Sequence, residues 1–295
     1  MAKLRIYRFD ASSCNGCDRQ ILETLVPRYK LAELGVEVVD YPHEANVLVV
    51  TGSVNVKSEP ELRKAYEQIQ EPKLVVAVGS CAISGGIYRE GYTITGPVDR
   101  IIPVNLYVFG CPPRPQAISG AIAAALGVEL SQVEPYWGVP EGFRGPPKVD
   151  GEKCIGCGAC AISCSSQTIE TRDEDAERLI TYRYEACTYC GICERICPTE
   201  AVKLGTDYRL WFKSKEEAKS EATVELHRCS GCGTPYAATR HLEWAVDRVV
   251  EKVEPYREFR AELMDASSTC PSCRTTVGNI RRAKALLTNL TIKVL

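Results

Sequence analysis

Apolar and polar positions change rhythm twice along the chain. Over residues 1–130, short β-branched runs alternate with amphipathic stretches. Residues 4–9, 37–40, 46–50, 74–78 and 106–109 predict strands, and 19–28, 59–70 and 116–126 predict helices. The run NVLVV at 46–50 is apolar on both faces until Thr51-Gly52 stops it. Such strands are covered above and below, as in a parallel sheet between helices. Ser58-Glu59-Pro60 introduces the second helix, and Pro113 and Pro115 lead into the third, as proline does near helix starts. Residues 131–149 are rich in Pro and Gly and read as an extended linker. Residues 150–205 form a cysteine-dense module, and 206–295 a tail with a helix pattern at 237–253.

Composition narrows the class. Of 295 residues, 45% are hydrophobic and 25% charged, an ordinary globular balance that excludes a disordered or collagen-like chain. The formal net charge is −2, and no basic run interrupts the sequence, so nucleic acid is not an expected partner. The longest apolar stretch, 118–130, is shorter than the roughly 20 residues a bilayer-spanning helix needs, so no transmembrane segment is expected. The first ten residues, MAKLRIYRFD, lack an apolar signal core and a twin-arginine signal, which gives an expectation of a cytoplasmic protein.

Sixteen cysteines carry the chemistry. They fall into four quartets with none left over: Cys14, Cys17, Cys81 and Cys111; Cys154, Cys157, Cys160 and Cys164; Cys187, Cys190, Cys193 and Cys197; Cys229, Cys232, Cys270 and Cys273. A reducing compartment disfavours disulfides, and a chain of this length needs no covalent staples. The repeated C-x2-C spacing instead lets one tight turn aim two sulfurs at one metal. Cys14, Cys81 and Cys111 each follow a predicted strand, and parallel sheets gather their sites at the carboxyl ends of strands. Three loops can therefore bring one quartet together from distant parts of the sequence.

The second and third quartets form C-x2-C-x2-C-x3-C twice, the second run ending at Pro198. This is the bacterial two-cluster ferredoxin pattern, in which the fourth cysteine of each run serves the other cluster. The expected [4Fe–4S] ligands are thus Cys154, Cys157, Cys160 and Cys197 for one cube, and Cys187, Cys190, Cys193 and Cys164 for the other. Gly156, Gly158 and Gly191 allow tight turns around the cubes. Ser165 stands where the second run has proline, which removes no ligand. Zinc modules do not interleave eight cysteines in this way.

The segments Ser13-Cys14-Asn15-Gly16-Cys17-Asp18, Gly79-Ser80-Cys81-Ala82-Ile83-Ser84-Gly85-Gly86 and Gly110-Cys111-Pro112-Pro113-Arg114-Pro115 add a family resemblance. Over about 1–127 the chain resembles the small, electron-transferring subunit of energy-converting, complex-I-related [NiFe] hydrogenases, including formate hydrogenlyase. The complex I subunit has adjacent cysteines at the first motif, whereas Asn15 and Gly16 separate them here. The resemblance implies a flavodoxin-like α/β parallel sheet and a proximal [4Fe–4S] cluster on Cys14, Cys17, Cys81 and Cys111. It also implies a separate large subunit that holds nickel and iron. Relatives often continue the second cysteine as Cys-Asp-Ile-Glu; here Gln20 replaces the acid, which puts a proton-relay role at that position in doubt.

Residues 150–295 resemble the ferredoxin-like subunit of formate hydrogenlyase, so two usually separate subunits look fused end to end. The tail pairs Cys229-Ser230-Gly231-Cys232 with Cys270-Pro271-Ser272-Cys273, a zinc-ribbon-like or rubredoxin-like set. Four thiolates on two knuckles suit zinc, and a single iron fits the same geometry. His227 lies beside Cys229 and could ligate, although four cysteines suffice; His43 and His241 read as packing or surface residues. Outside the metal ligands no catalytic constellation is present.

The expected protein is therefore an electron relay with three [4Fe–4S] clusters and one further metal. It would be an oxidoreductase only as part of a complex, bound peripherally through membrane-arm subunits on the cytoplasmic face, with a ferredoxin or formate dehydrogenase module as donor. A quinone or polysulfide reductase with the same subunit, or a free ferredoxin-like carrier, are the alternatives.

Overall fold

A computed structural model describes residues 4–29, 31–33, 35–127, 141–276, 278–281, 284–285 and 288. Positions 131–140 of the expected linker lie outside the described residues. The first half contains, in order, β1 (Leu4–Asp10), α1 (Gly16–Glu23), β2 (Val36–Val39), β3 (Val47–Thr51), β4 (Val54–Asn55), α2 (Ser58–Gln68), β5 (Leu74–Val78), α3 (Ser80–Ser84), β6 (Ile94–Gly96), β7 (Leu106–Val108) and α4 (Pro115–Leu126). The second half adds β8 (Pro147–Val149), α5 (Ala159–Ile162), β9 (Ile169–Glu174), β10 (Glu177–Arg183), α6 (Ile192–Ile196), β11 (Val202–Leu204), β12 (Trp211–Phe212), β13 (Lys219–Arg228), β14 (Pro235–Ala238), α7 (Thr239–Lys252), α8 (Arg260–Ser267) and α9 (Pro271–Arg274).

The large sheet has the order β12-β7-β5-β3-β1-β2, and its strands β2, β1, β3, β5 and β7 run parallel. Counted alone, those five follow the 2-1-3-4-5 winding of the flavodoxin type. In β3 every residue is buried: Val47 and Val49 pack with Ile6, Ile118 and Ile122 on one face, Leu48 and Val50 with Leu62 and Ile83 on the other. The two-sided apolar run seen in the sequence is thus satisfied by helices on both faces. Helix α1 begins at Gly16 and stops at Glu23, before a single turn of 3-10 helix at Pro27–Tyr29. It therefore starts and ends earlier than the 19–28 pattern implies and places Cys17 inside its first turn.

The second half is less separate than its sequence suggests. Residues 147–149, at the end of the expected linker, pair as β8 with β11. Strand β12, from the segment after residue 205, pairs antiparallel with β7 and completes the edge of the first sheet. Strand β13 pairs with β10 in a second, antiparallel sheet of order β14-β13-β10-β9. One apolar cluster runs through both halves, joining Phe109 and Ile83 to Tyr182, Tyr184, Tyr189 and Leu210.

Candidate metal centres

The first quartet sits at the carboxyl ends of β1, β5 and β7. Cys14 lies in the loop after β1, Cys17 enters α1, Cys81 lies in α3 directly after β5, and Cys111 follows β7. Asn15, with φ of 61°, turns the chain so that Cys14 and Cys17 flank the start of α1. Gly79 makes room for the site: its φ is +88°, and a Cβ there would lie 2.4 Å from the Cys17 sulfur. A Cβ on Gly86 would come within 3.1 Å of the Cys81 sulfur, and one on Gly16 within 3.4 Å of the Cys14 sulfur. A glycine therefore lies beside each of three of the four thiols. Cys14 and Cys111 are exposed, whereas Cys17 and Cys81 are half-buried.

Burial pushes the Cys17 thiol far above its ordinary range, and Cys111, Cys81 and Cys14 push it further. Burial likewise raises Cys111, with Cys81 and Cys14 adding to the effect. Four thiolates in this arrangement repel one another unless cations lie between them. Soft sulfur donors select iron–sulfur clusters or zinc among biological metals. Four such donors, three of them beside glycine backbone, fit a [4Fe–4S] group.

In the ferredoxin module the two runs exchange their last cysteines. The Cys154 thiol, raised by burial, also feels Cys157 and Cys197, and Cys160 feels Cys157 and Cys154. Cys154, Cys157, Cys160 and Cys197 line one pocket together with Ile180 and Tyr182. Burial pushes the Cys187 thiol up to about 12, with Cys193, Cys164 and Cys190 adding to it. Cys193 is pushed up to about 11 by burial, and then by Cys160, Cys190 and Cys164. So Cys164 faces the second run and Cys197 the first. Burial would raise Cys197, but N–H groups of Thr199, Val202 and Ala201 and the Thr199 hydroxyl bring it below its ordinary value; the Ala201 N–H lies 3.2 Å from its sulfur.

One neighbour was not visible as a site residue in the sequence. Tyr182 is 1% exposed, and its hydroxyl donates to the Cys160 sulfur at 3.1 Å. In the sequence it is an aromatic at a strand position, a pattern that signals core and nothing more.

The last quartet is the most compact: the ligand atoms of Cys229, Cys232, Cys270 and Cys273 lie within 4.8 Å of one another. Cys229 directly follows β13, Cys270 caps the start of α9, and Cys273 lies within α9. The Cys229 sulfur accepts the N–H of Cys270 at 3.2 Å and of Gly231 at 3.3 Å. Those bonds hold its thiol down to about 6, whereas the sulfurs of Cys232, Cys270 and Cys229 push Cys273 up to about 12. His227 packs edge-on against Tyr236, His43 stacks on Tyr41, and His241 lies beside Trp244.

The second ferredoxin run is fastened directly to the first quartet. The Ser80 hydroxyl, next to Cys81, donates to the carbonyl of Cys187 at 2.9 Å, and Ser84 donates to that of Glu185 at 2.9 Å. Arg89 donates to the Ser166 carbonyl at 2.6 Å. Lys215 donates to the Ile83 carbonyl and pairs with Asp99 at 2.6 Å. Helix α3 therefore carries one cysteine of the first quartet and grips the loop that carries the third quartet's Cys187.

Comparison with known proteins agrees with this arrangement. Residues 14–125 match the family described as NADH ubiquinone oxidoreductase, 20 Kd subunit, and residues 147–204 match a 4Fe-4S dicluster domain. An uncharacterised protein of Methanocaldococcus jannaschii is 49% identical over 109 residues, covering 37% of this chain and 73% of that one. A probable membrane-bound hydrogenase subunit, mbhJ of Pyrococcus furiosus, is 42% identical over 121 residues, covering 41% of this chain and 72% of that one. Formate hydrogenlyase subunit 7 of Escherichia coli is 32% identical over 180 residues, covering 61% and 66% of the respective chains.

Proposed function

This chain belongs to the family of the 20 kDa subunit of NADH ubiquinone oxidoreductase, with a 4Fe-4S dicluster domain behind it, and we propose that it is the electron-transfer subunit of a membrane-associated, energy-converting [NiFe] hydrogenase. It carries electrons through iron–sulfur clusters as a component of an oxidoreductase complex. The observation that carries the finer reading is the seam at Ser80 and Ser84, which sets the Cys187 loop against the first quartet.

Such clusters supply one-electron transfer, and the protein sets their order, potential and access to solvent. Cys154, Cys157, Cys160 and Cys197 would hold the outer cluster. Cys187, Cys190, Cys193 and Cys164 would hold the middle one, and Cys14, Cys17, Cys81 and Cys111 the inner one. The electrostatic coupling of Cys193 to Cys160 supports adjacency of the first two sets, and the α3 seam supports adjacency of the last two.

The inner set opens on one face, where Cys14 and Cys111 are exposed. Ile87 and Tyr88 line a pocket beside Cys14 and are about half exposed, and Tyr92 is fully exposed. Large apolar side chains grouped around a metal site mark a protein interface. We assign this face to the large subunit that would carry nickel and iron, where protons become H2 or the reverse. Among the described residues no helix is long and apolar enough to cross a membrane. Association is therefore assigned to membrane-arm subunits at the cytoplasmic face, and electron supply to a ferredoxin or a formate dehydrogenase module. Cys229, Cys232, Cys270 and Cys273 would hold a structural zinc or, in the same geometry, one iron. The family's own quinone-reducing member supports a second reading, in which the partner reduces quinone or polysulfide.

The test is metal analysis and mutagenesis of the native assembly. Three four-iron clusters and one closed thiolate site give about twelve irons and one zinc per chain. Cys14→Ala and Cys111→Ala should each abolish hydrogen turnover while both ferredoxin clusters stay reducible. Turnover that survives either change would remove the inner-cluster assignment, and about eight irons in the unaltered chain would remove the third cluster.

A further inference from the structure

Among the described non-glycine residues with positive φ, Tyr189 is the one aromatic. It occupies the third position of Cys187-Thr188-Tyr189-Cys190, where the matching first run has Gly156. Both residues are left-handed, with φ of 66° at Gly156 and 55° at Tyr189. Glycine adopts that region freely, while a bulky aromatic there is an outlier that the surroundings must hold in place. The turn thus uses an expensive side chain where its counterpart uses none. Backbone strain of this kind gathers at functional sites.

The side chain is 7% exposed, and its hydroxyl is one of few buried polar atoms without a hydrogen-bond partner among the described residues. Its buried neighbours are not left in that state. Tyr182 donates to the Cys160 sulfur, and Tyr184 donates to the Pro147 carbonyl at 3.1 Å. A buried donor without a protein acceptor calls for an explanation, such as a bound group that accepts from it. The position of Tyr189 supplies one. Its backbone N–H donates to the Cys187 sulfur at 3.4 Å. Tyr189 lines a cavity shared with Phe109, Gly110, Cys111 and Pro112 of the first half and with Arg144 and Tyr208 of the second. A tyrosine hydroxyl lies a full ring's length from its backbone, so one residue can serve two neighbouring sites.

We propose that Tyr189 is a positioning residue between the middle and inner clusters: its N–H serves the Cys187 side, and its hydroxyl donates to a sulfur of the cluster held by Cys14, Cys17, Cys81 and Cys111. This rests on the electron-relay reading above. The ring fills the seam with protein rather than water along the line electrons must follow. The hydroxyl favours the reduced, more negative state of the inner cluster and so raises its potential. The tyrosine stays neutral and closed-shell. Each electron that leaves one cluster arrives at the other, and no bond in the protein forms or breaks.

The experiment is an EPR-monitored redox titration of the intact complex, with the inner cluster identified by its loss in Cys14→Ala. Tyr189→Phe keeps the ring and removes the hydroxyl. It should shift the inner cluster to a more negative potential and leave the outer and middle clusters where they were. Tyr189→Gly restores the residue type of the matching turn, so it should fold. It should slow reduction of the inner cluster through the ferredoxin module in freeze-quench experiments. An unchanged inner-cluster potential in Tyr189→Phe, or a shift of the middle cluster instead, overturns the proposal, because a residue that merely fills space would tolerate loss of one oxygen. Absence of a third cluster in the unaltered complex would defeat the relay reading itself, a separate result.

Discussion

Two phenols, Tyr182 and Tyr189, and one glycine lie beside the cysteine sets in ways that no spacing of cysteines announces. Tyr182 places a hydrogen bond on the Cys160 sulfur from a buried position. Burial, and then the Cys160 sulfur, raise that phenol well above its ordinary value. Tyr182→Phe should therefore make the outer cluster harder to reduce, which a redox titration reads directly; an unmoved potential would mean that the bond has no electronic role. Gly79 acts by having no side chain. A methyl group there meets the Cys17 sulfur at 2.4 Å on a backbone with φ of +88°. Gly79→Ala should cost the chain the inner cluster, read as a loss of about four irons with the ferredoxin signals intact. The cysteines were legible in the sequence because metal ligation fixes both residue type and spacing. Tyrosines were not, since the same residue at the same position is ordinary core in most sheets.

Elements differ in how far their pattern reveals them. The parallel strands were visible because burial on both faces demands runs such as Val47–Thr51. Strand β9 was not, because five of its six residues are exposed and only Ile169 is buried. What secures β9 to β10 is partly ionic. Arg178 grips both carboxylate oxygens of Asp173, at 2.6 and 2.8 Å, and its remaining nitrogen donates to the carbonyl of Gly156 at 2.9 Å. One arginine thus links the hairpin to the turn between Cys154 and Cys157. The Arg178 hydrogen bond holds the Asp173 carboxyl below its ordinary value of 3.8. A depressed carboxyl contributes stability that is complete above its unfolded value and disappears as pH falls through the folded one. Asp173→Asn should therefore lower the melting temperature at neutral pH and match the unaltered chain in strong acid. The pair is partly exposed, so the difference should be at most about 1 kcal/mol. A constant gap across the whole pH range would assign the effect to something other than the carboxylate charge.

At the scale of the molecule, the sequence reads as modules in series, whereas the structure interleaves them. Hydrophobic rhythm and cysteine density both change near residues 130, 150 and 205, and those changes are real in composition. They say nothing of which strand completes which sheet, because two-residue edge strands such as β12 have no periodicity to detect. In the fold, Trp211 and Phe212 pair with β7, and Phe109 donates its N–H to the Leu210 carbonyl at 2.8 Å. The Phe212 ring meets Phe109 edge-on at 5.6 Å. Strand β13 then returns to cover β10, pairing from Glu177↔Glu225 to Arg183↔Lys219. A chain cut at 205, where the cysteine-dense module ends, would strip the β12 edge from the first sheet and β13 and β14 from the second, and uncover Phe109, Ile180 and Tyr182, all now buried. Each large apolar side chain so exposed forfeits roughly 1.5–3 kcal/mol, and a few such losses are comparable with the whole stability of a domain. A chain cut at 228 keeps β12 and β13 and gives up β14, helices α7 to α9 and both cysteine pairs of the last quartet. Expressed anaerobically, the 1–228 chain should keep all three iron–sulfur signals, while the 1–205 chain should aggregate or lose the outer and middle clusters. Equal iron content and equal melting temperature in the two truncations would show instead that the shared edges contribute nothing. The joined core would then no longer account for how the inner and middle clusters are held in register.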